Sequence, residues 1–195
     1  MARYDKDHKR LSRQRIVESA GRRFKRDGID GSGVATVMKD AGLTNGAFYG
    51  HFDSKDDLVA IAISEELRAQ REVFAALEPG LAGIEQFVRA YLSVEHRDDR
   101  AGGCPSAALL DEIGRCVDST RQSYSDGIVS IIDDLADRLV GVEASRARVA
   151  VLGMFASMVG TIQLSRALTD RQLADEVLAQ GVQNALEMVR ADSSR

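Results

Sequence analysis

Only two prolines, Pro79 and Pro105, punctuate 195 residues, and along the chain the apolar positions return every three or four residues. That spacing marks helices with one buried face, whereas strands need a period of two, which no convincing run displays. The pattern predicts an all-α fold of about nine helices. Over 11–27, Ile16, Val17, Ala20 and Phe24 stand at i, i+1, i+4 and i+8, with Arg13, Arg15, Arg22, Arg23 and Arg26 on the other face. Gly28 follows as a left-handed cap. Shorter helices are predicted over 34–41, ending at Gly42, and over 45–51, capped by Thr44. Ser54 caps the next, over 55–77, where Ser54-Lys55-Asp56-Asp57 approximates a capping box. Ile84, Phe87, Val88, Tyr91 and Leu92 share a face of a helix over 82–97, and Arg97–Gly103 is expected to be a loop. Helices are then expected over 104–115, over 120–140 behind Ser119-Thr120-Arg121-Gln122, over 143–167, and over 171–190 behind Thr169-Asp170-Arg171-Gln172.

The chain is 44% apolar and 29% charged, with a formal net charge of −4, a composition typical of a folded domain. Taken alone, an acidic total argues against a nucleic-acid partner. The charge is unevenly placed, however. Residues 1–55 hold 12 Lys+Arg against 7 Asp+Glu, a net of +5, and residues 56–195 hold 14 against 23, a net of −9. All five lysines, Lys6, Lys9, Lys25, Lys39 and Lys55, lie in the first stretch. Such asymmetry suits a segment that faces nucleic acid, and equally a solvated basic surface.

Several classes of function are disfavoured. The opening MARYDKDHKRLSRQR has no apolar run, so no secretory signal is expected. Val149–Ser165, the longest uncharged run, has 17 residues and includes Ser157, Thr161, Gln163 and Ser165; a buried helix is expected there rather than a membrane span. Cys104 and Cys116 have neither CxxC nor framework spacing, which fits a reducing cytoplasm. His8, His51 and His96 form no metal-ligand cluster with them. No GxSxG, glycine-rich phosphate loop or HExxH occurs. The chain is therefore expected not to be an enzyme and to need no metal or cofactor.

Residues 34–52 read VATVMKDAGLTNGAFYGHF, two short helices about a Gly-Leu-Thr turn. This is the order of a helix-turn-helix, in which a first helix supports a second that enters the DNA major groove. Gly42 tolerates the tight turn. Thr44, Asn45, Gly46 and Ala47 are small or polar, as the leading end of a groove-reading helix must be. A helix start also points amide donors at phosphate. Tyr49, His51 and Lys55 offer donors at the flanks, suited to backbone phosphates, and Thr36 on the first helix is a further candidate contact. Phe48 and Phe52 are expected to pack inward.

GSGVATVMKDAGLTNGAFYGHFDSKDDLVAIA, preceded by RQRIVESAGRRFKRDGIDG, resembles the DNA-binding signature of the tetracycline-repressor (TetR) family of bacterial regulators. The likeness is carried by the AGLTNGAFYGHF core, by Phe52-Asp53-Ser54-Lys55 and Leu58, and by Ile16, Ala20, Phe24 and Gly28 in the helix before it. It covers about residues 11–60. GGCPSAALLDEIG and LSRALTDRQLADEVLAQGVQNAL are in turn similar to the regulatory half of one large branch of that family. The resemblance implies a helix-turn-helix domain over 1–54, with 55–77 as connector, and a ligand-binding and dimerisation domain over 55–195. It implies a homodimer through 143–167 and 171–190, a palindromic operator in double-stranded DNA, and release by a small-molecule effector. Repression is the family's usual mode.

Candidate effector contacts come from amphipathic faces: Phe87, Tyr91, Cys104, Leu109, Ile113, Tyr124, Met154, Phe155 and Met158, with Glu112 and Gln163 as polar anchors. Each could equally be an ordinary core position. Few inward-facing charges favour an apolar or amphipathic effector. Cys104, just before Pro105, sits where a helix start can lower a thiol pKa. In the branch resembled, some members answer oxidants or electrophiles through a cysteine so placed; an inert cap is the plain alternative.

Two other functions share these features. One is a helical-bundle ligand-binding protein or enzyme in which the helix-turn-helix is only structural, although such a relic has no reason to keep the charge split. The other is a chromosome-organising protein of the same fold without an effector.

Overall fold

Helix forms where the apolar spacing repeats, and side chains cap four of the starts, at Ser54, Ser93, Glu143 and Asp170. The computed structural model describes residues 2–193; Met1, Ser194 and Arg195, at the outer ends of the two expected domains, lie outside the described residues. Nine α-helices and one 3-10 helix occur among them, and no strand. In chain order these are α1 (Ala2–Asp27), α2 (Val34–Asp40), a 3-10 helix (Asn45–Gly50), α3 (Lys55–Ala75), α4 (Gly80–Tyr91), α5 (Val94–Asp98), α6 (Pro105–Arg115), α7 (Asp118–Ala136), α8 (Ala144–Ala167) and α9 (Arg171–Ser193).

The expected helix over 82–97 is two helices. It breaks at Leu92–Ser93, where the Ser93 hydroxyl accepts from the His96 amide at 3.1 Å and starts α5 afresh. The first helix begins well before residue 11. Helix α7 starts at Asp118 after Val117, which makes no side-chain cap, so Ser119-Thr120-Arg121-Gln122 lies inside the helix and not at its start. The Ser54 cap is present, its hydroxyl accepting from the Asp57 amide at 3.0 Å. Asp170 caps α9 by accepting from the Leu173 amide at 3.1 Å. At the far end of α3, the Arg138 guanidinium donates to the carbonyls of Phe74, Leu77 and Glu78, where the regular helical ladder has run out.

A single apolar core runs through the whole chain. Ile16, Phe24, Met38, Phe48 and Leu58 fill its amino-terminal end, and Ile84, Ile131, Leu135, Met154 and Met158 fill the other. Helix α3 belongs to both ends, burying Leu58, Val59 and Ala62 against α1 and presenting Leu67 to α7. At the crossing with α7, a Cβ on Gly127 would lie 2.6 Å from Leu67 Cδ1 and 3.0 Å from its Cβ, so only glycine lets the helices approach this closely. Helices α8 and α9 lie side by side along most of their length. By length and composition α8 is apolar enough to cross a membrane, but Val151, Met154, Met158 and Ile162 along one side are fully buried in the core.

Crowding at the α3–α7 crossing should be measurable. Gly127→Val is expected to lower stability by about 1–3 kcal/mol through overpacking. Gly114→Ala, on an open stretch of α6 with nothing within 4 Å of the added carbon, should instead stabilise by about 0.5–1 kcal/mol. Urea unfolding of the two variants beside the parent reads both, and equal effects would contradict the crowding.

Candidate functional site

Gly42 adopts φ +70°, the left-handed conformation that glycine reaches without strain. Its amide donates to Lys39 O at 3.0 Å and the next amide, Leu43, reaches back to Met38 O at 2.9 Å. This paired closure ends α2 and turns the chain into the 3-10 helix. Phe48, 1% exposed, anchors that helix to the core. Thr44, Asn45 and Gly46 at its leading end are all exposed, and a Cβ on Gly46 would meet nothing within 4 Å. Thr44 occupies the cap position but its hydroxyl makes no capping bond, so the side chain expected to close the helix stands exposed at its start.

Tyr49 is 78% exposed, its ring edge-on to Phe48 with centroids 5.2 Å apart. Ala47, Thr36 and His51 are half-buried at the margin of the same surface. Two basic side chains that sequence inspection did not select join them from α1. The Arg13 guanidinium lies 5.0 Å from the Phe52 ring centroid, and burial, Lys9 and Arg13 together hold the His51 imidazole below its ordinary pKa. The signal was the helical repeat of Lys9 and Arg13 ahead of residue 16, legible only once the helix is known to begin so early. The surface is thus small and polar at its centre, aromatic beside it and cationic at its rim.

Lys55 is committed elsewhere. Its ammonium donates to Ile29 O at 2.6 Å, while the Ile29 amide donates to the Glu112 carboxylate at 2.7 Å. Both polar groups of one backbone residue, in the turn between α1 and α2, are therefore taken by side chains from α3 and α6. Glu112, expected as a polar anchor for an effector, faces this turn instead of a cavity.

A second connection lies one helical turn back. The Lys25 side chain, 3% exposed, pairs with Glu66 at 2.5 Å and donates to Gly103 O at 2.9 Å. Glu66 and Gly103 both line a cavity of about 310 Å³ walled by Phe74, Phe87, Tyr91, His96 and Cys104. Within the wall, His96 Nδ1 lies 2.6 Å from Tyr91 O, and its Nε2 accepts from the Cys104 amide at 3.0 Å. The first contact requires a proton on Nδ1 and the second a lone pair on Nε2, so the ring is neutral and its tautomer fixed. Burial, with nearby Arg166 and Lys25, lowers its pKa. The Cys104 thiol, buried, donates to Gln70 Oε1 at 3.3 Å. Beside it the Tyr91 hydroxyl is buried without a hydrogen-bond partner, and burial, then the thiol, raises its pKa well above the usual value.

The nine expected effector contacts do not share one cavity. Phe87, Tyr91 and Cys104 line the one just described. Tyr124 and Phe155, with Gln163, line a separate groove of about 390 Å³ between α7 and α8. Phe155 and Tyr91 meet with ring centroids 5.9 Å apart, and Tyr124 bonds Ser106 at 2.9 Å. Leu109, Ile113, Met154 and Met158 are wholly core. Gln70 and His96, which the sequence reading passed over, supply the polar atoms of the inner cavity; no periodicity marks them, because they come from different elements.

Two tests follow from these links. Lys25→Met should cost about 2 kcal/mol or more, since it leaves Glu66 unpaired in a partly buried place, while Lys25→Met with Glu66→Leu should recover much of the loss. Chemical unfolding of both variants decides it, and equal losses would count against the pairing. For His96, a lowered folded pKa means that the unfolded chain takes up a proton first. Stability is therefore full above about pH 6.5, the ordinary histidine value, and falls as the pH drops below it. His51 acts in the same direction, so His96→Gln should reduce, without abolishing, the fall in urea midpoint between about pH 7.5 and 5.5; an unchanged fall would refute it.

Residues 16–61 match the family described as bacterial regulatory proteins, tetR family. Over 58 residues, 30% of this chain and 27% of its relative, the sequence is 40% identical to the HTH-type transcriptional regulator AcrR of Shigella flexneri. The curated relatives are thus matched over less than a third of their length. The whole fold is similar to a TetR-family transcriptional regulator from Agrobacterium tumefaciens, with TM-score 0.76, 20% identity, and 92% of this chain and 97% of that one covered. It is also similar to the transcriptional regulator FadR from Bacillus subtilis, crystallised with stearoyl-CoA, with TM-score 0.65, 16% identity and coverage of 90% and 96%.

Proposed function

We propose, from an amino-terminal domain that belongs to the tetR family of bacterial regulatory proteins, that this chain is a ligand-responsive transcriptional repressor acting on DNA as a homodimer. The observation that carries the proposal is the exposed start of the 3-10 helix: Thr44, Asn45 and Gly46 are free of intrachain work and rimmed by Tyr49, His51, Lys9 and Arg13. Small polar groups at the centre suit base edges in the major groove, and the basic rim suits phosphates. The acidic remainder turns away from DNA and helps orient the approach.

Dimerisation is supported by the outer surface of the last two helices. On α8, Val149, Leu152, Gly153, Ala156, Gly160 and Leu164 are exposed at helical spacing, and Leu173 and Met188 extend the same character on α9. An apolar and small-residue seam of this length suits a second copy packed two helices against two. Twofold symmetry then presents two reading helices to the halves of a palindrome.

The cavity beside Cys104 suits a compact, amphipathic effector. Its aromatic wall takes the apolar part, and the unpartnered Tyr91 hydroxyl and Gln70 offer hydrogen bonds. An occupant that displaces Glu66 or Gly103 alters what holds Lys25, and hence the set of α1 and the distance between the two reading helices. A coupling of about 1–3 kcal/mol is enough for a 5–150-fold change in DNA affinity. Covalent modification of Cys104 by an electrophile would act on the same wall.

Selection from a random DNA library should return a palindromic motif, with gel-shift stoichiometry of two chains per duplex. Asn45→Ala is expected to change the motif. Lys9→Ala should keep it while reducing the slope of log K against log salt by about 0.9 per copy. Failure to enrich any motif would overturn the proposal.

A further inference from the structure

On the opposite side of segment 96–104 from the Cys104 cavity lies a second, polar cavity of about 750 Å³. Five arginines reach it from four elements: Arg26 in the last turn of α1, Arg97 and Arg100 around the end of α5, Arg166 near the end of α8 and Arg171 at the start of α9; Asp98 and Asp99 are the carboxylates in its lining. Three of the five are matched. Arg97 pairs with Asp98 at 2.9 Å and Asp175 at 2.5 Å, Arg171 shares Asp98 at 3.1 Å, and Arg26 pairs with Asp27 at 2.9 Å.

Arg166 and Arg100 are not. The Arg166 guanidinium is spent on three backbone carbonyls, those of His96 at 2.7 Å, Arg97 at 3.0 Å and Ala107 at 2.7 Å, and meets no carboxylate. Arg100 accepts the Gly103 amide on its backbone carbonyl at 3.3 Å, but its side chain makes no hydrogen bond or ion pair among the described residues, and Asp99 beside it accepts from the Gly102 amide at 2.9 Å. Burial and the neighbouring Arg100 charge together push the Arg166 pKa down. Two adjacent cations, one half-buried and neither in an ion pair among the described residues, leave a place that an anion between them would fill. Guanidinium groups bind oxyanions by paired N–H donors. Because the donors arrive from several directions, with the exposed Thr169 hydroxyl also at the wall, a tetrahedral anion fits better than a planar carboxylate.

We infer that this cavity is a binding site for a small phosphate-bearing anion, held between Arg100 and Arg166 with Arg26 and Thr169 at its edge. The site goes beyond the proposed DNA-binding and effector roles and does not depend on them. Nor is it part of the DNA surface: Arg26 is 17 residues along α1 from Lys9, about 25 Å at 1.5 Å per residue.

The test is isothermal titration of the full chain with inorganic phosphate at constant ionic strength, using parent, Arg100→Ala and Arg115→Ala proteins. Arg115 is an exposed arginine on α6 that pairs with Asp111 and lies outside the cavity lining, so it controls for general screening, and thermal melts verify that each variant is folded. The expected result is saturable binding of one phosphate per chain, weakened about tenfold or more by Arg100→Ala and unchanged by Arg115→Ala. Absence of saturable binding, or equal weakening in both variants, would overturn the site. Citrate binding as tightly as phosphate would overturn the phosphate class.

Discussion

Lys25 carries its charge into the interior, where, among the described residues, Glu66 and the Gly103 carbonyl receive it. A buried ammonium is tolerable only when its hydrogen bonds are answered, so three separate parts of the chain are obliged to stay together: α1, α3 and the segment before α6. The position of α1 therefore rests on a polar requirement as well as on apolar packing. Packing alone could accommodate a small sliding of α1 over α3, because hydrophobic contact has no strong direction. The ion pair and the carbonyl contact have direction and range, and they fix which sliding positions are allowed.

The same economy governs the turn between α1 and α2. Ile29 has its amide answered by Glu112 and its carbonyl by Lys55, and Ser32 closes the turn by donating to Gly28 O at 2.6 Å. Helices α3 and α6 thus hold the base of α2 from two sides. Arg166 does comparable work on the other side, securing the backbone at His96, Arg97 and Ala107. Charged side chains of α3, α6 and α8 serve as long-range fasteners for irregular backbone.

This division explains what was legible in the sequence. Apolar spacing located nearly every helix, since one buried face is a local property of the chain. Gly28 and Gly42 marked real turns because their φ values of +85° and +70° are glycine territory. The exposed residues at the start of the 3-10 helix were legible for a similar reason, as small polar side chains between the Gly42 turn and the buried Phe48. What escaped was pairing at a distance. Lys55 and Glu112 looked available for DNA and effector, and both are held by a backbone residue far from them in sequence. The break at Ser93 was hidden inside an unbroken apolar repeat, because a hydroxyl that bonds to an amide three residues on leaves no trace in periodicity. Helix faces did not locate the cavities, since the inner one is walled by residues of several helices and of a loop, while Leu109, Ile113, Met154 and Met158 face the solid core.

Segment 96–104 is a partition. Its residues wall the apolar cavity on one side and the arginine-lined cavity on the other, and its His96 end is pinned to Tyr91 and Cys104. A partition has one position at a time. Any molecule that binds better to one of its positions, from either side, changes the affinity on the other side by the same factor, because linkage between binding sites is reciprocal. Because one short segment supplies lining residues to both chambers, occupants that never touch would still be linked through it.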